Sequence, residues 1–239
     1  MNEQASNENR DLIEFWDRFF EVSQEEKEEL MNSGLESLEA LAPSEKLLSA
    51  AYGLGTRKNV LDFGCGNGWA AIAAAKSGCP SVTAADAAKN AFEAAGLCAK
   101  LLGADERVHP VLADNGWLKS VPDNTYDGLF CSNVLDVVPP ETAEEILREA
   151  ARIVTDDAEI IIGLNKWMSD EAAAEKDLAL TGDKKLFIDG VLRLVSRTDE
   201  EWKEILSRSF SVEGLEYFAW HGEPEEKRRL FLLRKLKTE

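Results

Sequence analysis

The chain has 239 residues, and 27 Lys and Arg against 45 Asp and Glu give a formal charge of −18. Its 44% hydrophobic content supplies a packed core and excludes a disordered chain. The negative field opposes phosphate backbones and anionic bilayers, so neither nucleic acid nor membrane is an expected partner.

Residues 1–10 are polar, with no apolar core of a signal peptide and no long apolar span after them, which predicts a cytoplasmic protein. Leu12, Phe15, Trp16, Phe19 and Phe20 then recur along one helical face, opening an arm that runs to about residue 52. Asn32-Ser33-Gly34 and Ala42-Pro43-Ser44 break it, and Ser44 suits the N-cap of a helix ending near Gly53 or Gly55.

From Asn59 the pattern changes to short apolar runs between amphipathic stretches, which predicts β-α alternation. Strands are expected at 60–63, 81–85, 108–112, 127–131 and 159–164, with helices at 69–77, 89–102 and 141–154. A polar stretch at 165–183 precedes two apolar runs joined by Asp189-Gly190, the signature of a hairpin. A helix at 199–209 and strands at about 211–220 and 229–236 complete the pattern, the strands closing the sheet as an antiparallel pair. The basic residues Lys227, Arg228, Arg229, Arg234, Lys235 and Lys237 alternate with leucines and read as a strand with charged ends rather than a nucleic-acid stripe. The expected fold is α/β: a Rossmann-like, doubly wound sheet of seven strands, mostly parallel with an antiparallel last strand. An N-terminal helical arm or lid would span 1–55, and the main domain 56–239, with a substrate-side insertion at about 165–198.

Cys65, Cys79, Cys98 and Cys131 form no Cys-x-x-Cys pair, and His109 and His221 stand far apart, so free buried thiols and no bound metal are expected.

Ligands of open α/β sheets bind at the carboxyl ends of the strands, near the topological switch point. The first such turn is Asp62-Phe63-Gly64-Cys65-Gly66-Asn67-Gly68, whose three glycines admit a ligand to the backbone. By itself it is equally a tight strand-to-helix connection. Asp62 ends the first strand, Asp86 the second and Asp114 the third, and each alone could be a turn residue or helix cap. Their recurrence on successive strands points instead to one ligand. Asp62 opposes a pyrophosphate but attracts an ammonium or sulfonium, and Trp69 stands where a dinucleotide fingerprint wants its third glycine.

The motifs VLDFGCGNG (60–68), VTAAD (82–86), LADN (112–115), PDNTYDGLFCSNVLDVV (122–138) and ILREAARIV (146–154) resemble those of class I S-adenosylmethionine-dependent methyltransferases, especially the small-molecule branch. The resemblance covers roughly 59–164. It implies S-adenosylmethionine as cofactor, with Asp62, Gly64, Cys65, Gly66, Asn67 and Gly68 at its methionine end. Asp86 and Ala87 would take the ribose, Asp114 and Asn115 the adenine, and Cys131, Ser132 and Asn133 would form the floor beneath the sulfonium. Thr155-Asp156-Asp157-Ala158 replaces the Pro-Gly-Gly turn common before the fifth strand.

The implied reaction is in-line methyl transfer to a small-molecule acceptor, which positioning and desolvation can largely drive. Asp136 is the candidate base if a proton must be removed, ahead of His221 and His109, and is equally placed for a cap or turn role. Trp16, Phe19, Trp167 and Met168 are candidates for an apolar lid; Trp16 and Phe19 could instead only pack the arm. A noncatalytic S-adenosylmethionine-binding scaffold and an NAD-dependent oxidoreductase are the alternative functions.

Overall fold

Apolar strands alternating with helices force a layered solution, because each strand buries both faces only when helices cover the sheet on either side. The computed structural model describes residues 3–35, 37–113 and 116–236. Its main sheet contains β1 (Val60–Phe63), β2 (Val82–Asp86), β3 (Val108–Leu112), β4 (Tyr126–Ser132), β5 (Val154–Leu164), β8 (Phe210–Phe218) and β9 (Arg228–Lys235). Their order is β3-β2-β1-β4-β5-β9-β8. Strands β1 to β5 pair in parallel, whereas β9 runs antiparallel between β5 and β8. The sheet reverses its direction of growth at β1 and β4, so the switch point lies at the mouth of the glycine-rich turn.

The helices α5 (Trp69–Lys76), α6 (Lys89–Leu101), α7 (Trp117–Ser120), α8 (Pro140–Ile153) and α10 (Asp199–Ser207) connect these strands. Helix α8 starts with Pro140 in its first turn and buries Ala143, Leu147, Ala150 and Ile153, the face predicted from spacing of three and four. One apolar cluster joins α8 and α10 to the sheet through Leu147, Ile160, Ile162, Trp202 and Phe231. A second, on α5, contains Ile72, Val82, Phe130 and Ile161.

The N-terminal segment has two destinations. Helices α3 (Leu38–Leu41) and α4 (Glu45–Gly53) join the second cluster through Leu38, Leu47, Leu48 and Ala51, as part of the helical layer. Ser44 precedes α4 as expected, although its hydroxyl makes no cap bond. Helix α1 (Glu3–Phe19) instead crosses the carboxyl edge of the sheet, and α2 (Gln24–Ser33) follows under a Ser23–Glu26 capping box.

The insertion contains α9 (Asp170–Ala174) and a separate hairpin of β6 (Lys185–Ile188) and β7 (Val191–Val195). Asp189 and Gly190 both have positive φ, 51° and 78°, as a two-residue turn of the I′ kind requires. The expected turn before the fifth strand is replaced by a bulge. β5 already pairs at Val154 with Tyr126, and the register jumps before Glu159 meets Gly128. Among the described residues no helix is long and apolar enough to cross a membrane.

Candidate active site

A cavity of about 530 Å³ opens along the carboxyl edge, lined by the first two strand ends, the turn after β4, α8 and α1. Asp62 points into it from β1 yet is only 3% exposed. Its Oδ2 accepts a hydrogen bond from the Ala71 N–H at 3.0 Å, so the carboxyl is tied to the first turn of α5. Burial pushes its pKa up to about 7, against the lowering effect of that N–H and with a further push from Asp86.

Asp86, the last residue of β2, accepts from the Gly66 N–H through Oδ2 and from the Ala88 N–H through Oδ1, both at 2.9 Å. Its pKa is raised mainly by burial, with the backbone donors pulling the other way. Each carboxylate oxygen keeps a second lone pair, so Asp86 can receive a pair of hydroxyls without giving up its backbone bonds. The two acids are therefore held by the chain segments they must orient.

The turn between them is held open by glycine. Gly64 has φ of +72°, and a Cβ there would come within 2.2 Å of the Val134 side chain. Gly66 has φ of +55°, and a Cβ would meet the Phe20 ring at 2.8 Å. This second contact puts an aromatic residue of the arm directly over the glycine turn.

Of the remaining residues expected at the cofactor, Cys65, Asn67, Ala87, Ser132 and Asn133 line the cavity. Gly68 does not. It precedes α5 in the left-handed region and packs against Ala95. Cys131 also turns away into the core beside Leu61 and Ile162, because alternate residues of a strand face opposite sides; Phe130 lines the cavity in its place. Asp114 and Asn115 lie outside the described residues.

Asp136 requires correction as candidate base. It is fully buried, absent from the cavity lining, and accepts from the Asn165 N–H at 2.6 Å. Burial raises its pKa, while Asn165 and the Arg229 cation act in the opposite sense. Arg229 in turn donates to the carbonyls of Asn165 and Arg197, so this β9 arginine holds the end of β5, and the aspartate holds the same Asn165 from the turn after β4. Asn165 also anchors the cavity wall: its Oδ1 accepts from Arg228 and, at 3.0 Å, from Asn133, whose own Oδ1 accepts from Ser132 at 3.0 Å.

The strand with charged ends also needs revision. Arg228 and Arg229 are 7% and 1% exposed. Arg228 forms a forked pair with Glu223 at 2.7 and 2.9 Å and lies 3.2 Å from the centre of the Trp220 ring. Glu223 is pulled down to about 2, first by Arg228. These arginines are structural.

Trp16 and Phe19 line the cavity, but Trp167 and Met168 do not, and Trp167 is 53% exposed. Sequence reasoning missed Leu12, Ile13 and Phe20 as lining residues, although the same stripe that contains Trp16 carried two of them. His221 is exposed with its N–H bonded to the Pro43 carbonyl, and His109 is exposed on β3; neither lines the cavity.

Comparison with known proteins agrees with this geometry. A family profile described as "Methyltransferase domain" matches residues 60–157. No curated protein matches the chain in sequence at a significant level. Solved structures with the same fold include mitomycin 7-O-methyltransferase, at 18% identity and TM-score 0.58 over 79% of this chain and 54% of that one. Against that enzyme the chain spans about half the length. Another is the Burkholderia thailandensis 1,6-didemethyltoxoflavin-N1-methyltransferase with its acceptor and S-adenosylhomocysteine bound, at 18% identity and TM-score 0.64 over 82% of this chain and 79% of that one. A third is magnesium protoporphyrin IX methyltransferase of Synechocystis with bound S-adenosylhomocysteine, at 19% identity and TM-score 0.60 over 80% and 83%. A methyltransferase-domain profile thus matches the stretch from β1 into β5, and the fold is shared with methyltransferases solved with S-adenosylhomocysteine bound.

Proposed function

We propose that the protein transfers a methyl group from S-adenosylmethionine to a small-molecule acceptor. The observation that supports this most is the opening of both strand-end carboxylates and the glycine turn onto one cavity, which continues past the end of β4 toward α1 and α8. The donor set suits the cofactor: Asp62 for an ammonium, Asp86 and Ala87 for a ribose, and the Gly64 to Asn67 backbone for close approach. Ser132 and Asn133 form the nearby wall, and the resemblance assigns the purine to Asp114 and Asn115. When bound, S-adenosylmethionine supplies an activated methyl on a sulfonium whose departure is neutral. The chain's own part is to orient the acceptor in line and exclude water, and α1 serves as the lid of this arrangement. Four buried free cysteines support a reducing, cytoplasmic setting.

The test combines binding and turnover. Methyl-labelled S-adenosylmethionine is incubated with a panel of small amines, phenols and carboxylates, and label transfer is expected to at least one. Asp86→Ala is expected to weaken S-adenosylhomocysteine binding at least tenfold, about 1.4 kcal/mol, through loss of charge-assisted hydrogen bonds. Unchanged affinity by calorimetry would remove Asp86 from the site.

A further inference from the structure

Helix α6 starts directly after the Asp86–Ala88 loop, and its first turn has no cap of its own. The N-cap residue is Ala88, which carries no side-chain acceptor. Serine, threonine, aspartate or asparagine is usual there, because the first N–H groups of a helix have no intrahelical partner. The missing acceptor comes from the arm: Asp17 Oδ1 accepts from the Asn90 N–H at 2.7 Å. The exchange runs both ways. At the end of α1 the Glu21 N–H turns to the Arg18 carbonyl at 3.3 Å, which leaves the Asp17 carbonyl outside the helical ladder, and Asn90 Nδ2 donates to it at 3.0 Å. The C-terminus of α1 and the N-terminus of α6 therefore complete each other's hydrogen bonding.

This clasp lies beside the cofactor rim. Asp86, whose pKa is raised mainly by burial, is pushed further by the Asp17 charge, so the two carboxylates face each other. One turn along α6, Glu93 accepts from Lys27 of α2 at 3.0 Å, and the elbow between α1 and α2 thus grips two successive turns of α6. Trp16, Phe19 and Phe20 flank Asp17 in sequence and line the cavity, whereas Asp17 does not. The cavity keeps its volume of about 530 Å³ with the arm in this position, within the range of roughly 300–1,000 Å³ common for ligand sites. The docked arm encloses a ligand rather than taking its place.

Resting on the methyltransferase reading above, we infer that Asp17 is a positioning residue and that its clasp on Asn90 is a latch, which holds α1 shut over S-adenosylmethionine and must open for the nucleoside to enter or leave. The bound state favours closure because Trp16, Phe19 and Phe20 meet the cavity only when the arm is docked, which gives the ligand a higher affinity for the closed form. A latch slows entry and exit alike. A residue that merely touches the ligand slows exit alone.

The experiment follows S-adenosylhomocysteine binding to the full chain by stopped-flow tryptophan fluorescence, and α1 of the free chain by amide exchange. Asp17→Ala is expected to raise the association and dissociation rate constants together, each about tenfold, with Kd moving much less, and to lower α1 protection by about the same factor. Asn90→Ala is expected to speed both rates about threefold through loss of one hydrogen bond. Alanine is the better helix former, so a loosened α6 would not account for that rise. Asp17→Asn keeps an acceptor at Oδ1 and is expected to stay within about threefold of the unaltered chain. Unchanged rates in Asp17→Ala would overturn the latch, and so would a rise in the dissociation rate alone, which marks a lost ligand contact. Asn90→Ala decides the same question should Asp17→Ala not fold. Protection of α1 unmoved by Asp17→Ala would overturn the latch without reference to any ligand. Failure of the unaltered chain to bind S-adenosylhomocysteine would instead overturn the underlying reading.

Discussion

The cofactor rim and the arm above it are built from different kinds of contact. At the rim, Asp62 and Asp86 are fixed by the N–H groups of Ala71, Gly66 and Ala88, which belong to the same β-α framework. The arm is held at its ends by side chains: the Glu8–Lys185 pair, Arg193 stacked 4.1 Å over the Phe15 ring, and Asp17 on Asn90. A rim fixed by backbone is organised before any ligand arrives. An arm fixed by a few side-chain anchors can release as a unit while the sheet stays folded.

The sharpest way to break this contrast is at Lys185. Its side chain and that of Glu8 are 8% and 9% exposed, so removing the ammonium leaves a carboxylate buried without its nearest cation. Loss of one partner of such a pair costs about 3–5 kcal/mol, and the cheapest response is for α1 to undock and hydrate Glu8. Lys185→Met is therefore expected to abolish amide-exchange protection across α1 while leaving β1, β4 and β5 protected. A Glu8→Met, Lys185→Met double variant should recover much of it, because no charge remains to be hydrated. Unaltered exchange in α1 of the single variant would show that the arm does not depend on this anchor.

The complementary change strikes the rim. Gly64→Ala places a Cβ 2.2 Å from the Val134 side chain at φ of +72°. The left-handed conformation alone costs an L-residue about 1–2 kcal/mol, and the clash adds to it. Cofactor affinity is expected to fall at least tenfold, with α1 protection retained. Adding Val134→Ala should relieve the clash and leave the dihedral cost, giving partial recovery by calorimetry. Full recovery would mean that backbone strain contributes nothing at this turn.

The same difference explains what the sequence revealed. Periodicity of two and of three to four is imposed by local geometry, so the strands, α8 and the Asp189-Gly190 hairpin were legible, and with them the strand-end carboxylates. Strand alternation was also sufficient to separate Cys131 from Ser132, a step that treating residues 131–133 as a continuous floor overlooked. Asp136 was a different problem. Beyond β4 no period applies, and its orientation depends on Asn165 and Arg229, which are remote in sequence. Arg228 and Arg229 looked like solvated strand ends because their partners Glu223, Asn165 and Arg197 meet them only in the folded sheet. Trp167 shows the converse, an aromatic residue near the expected lid that the chain directs to solvent.

The smallest expected effect, and the one that reads the rim's electrostatics directly, is the titration of Asp62. Burial pushes its carboxyl up to about 7, well above the ordinary carboxylate range. A ligand ammonium binds the ionised form, so cofactor affinity should fall as pH drops through about 7, approaching tenfold per unit below it. In the free protein the sign is reversed. The carboxyl's folded-state pKa exceeds its unfolded value, so its favourable contribution is fully present below the unfolded pKa and is lost as pH rises through about 7. Asp62→Asn should therefore weaken cofactor binding at high pH, flatten its pH dependence, and reduce the fall in free-protein stability between about pH 4 and 7. Calorimetric titrations with S-adenosylhomocysteine, paired with thermal unfolding of the free protein, measure both slopes. Parallel rather than opposed slopes would mean that a different group governs the rim.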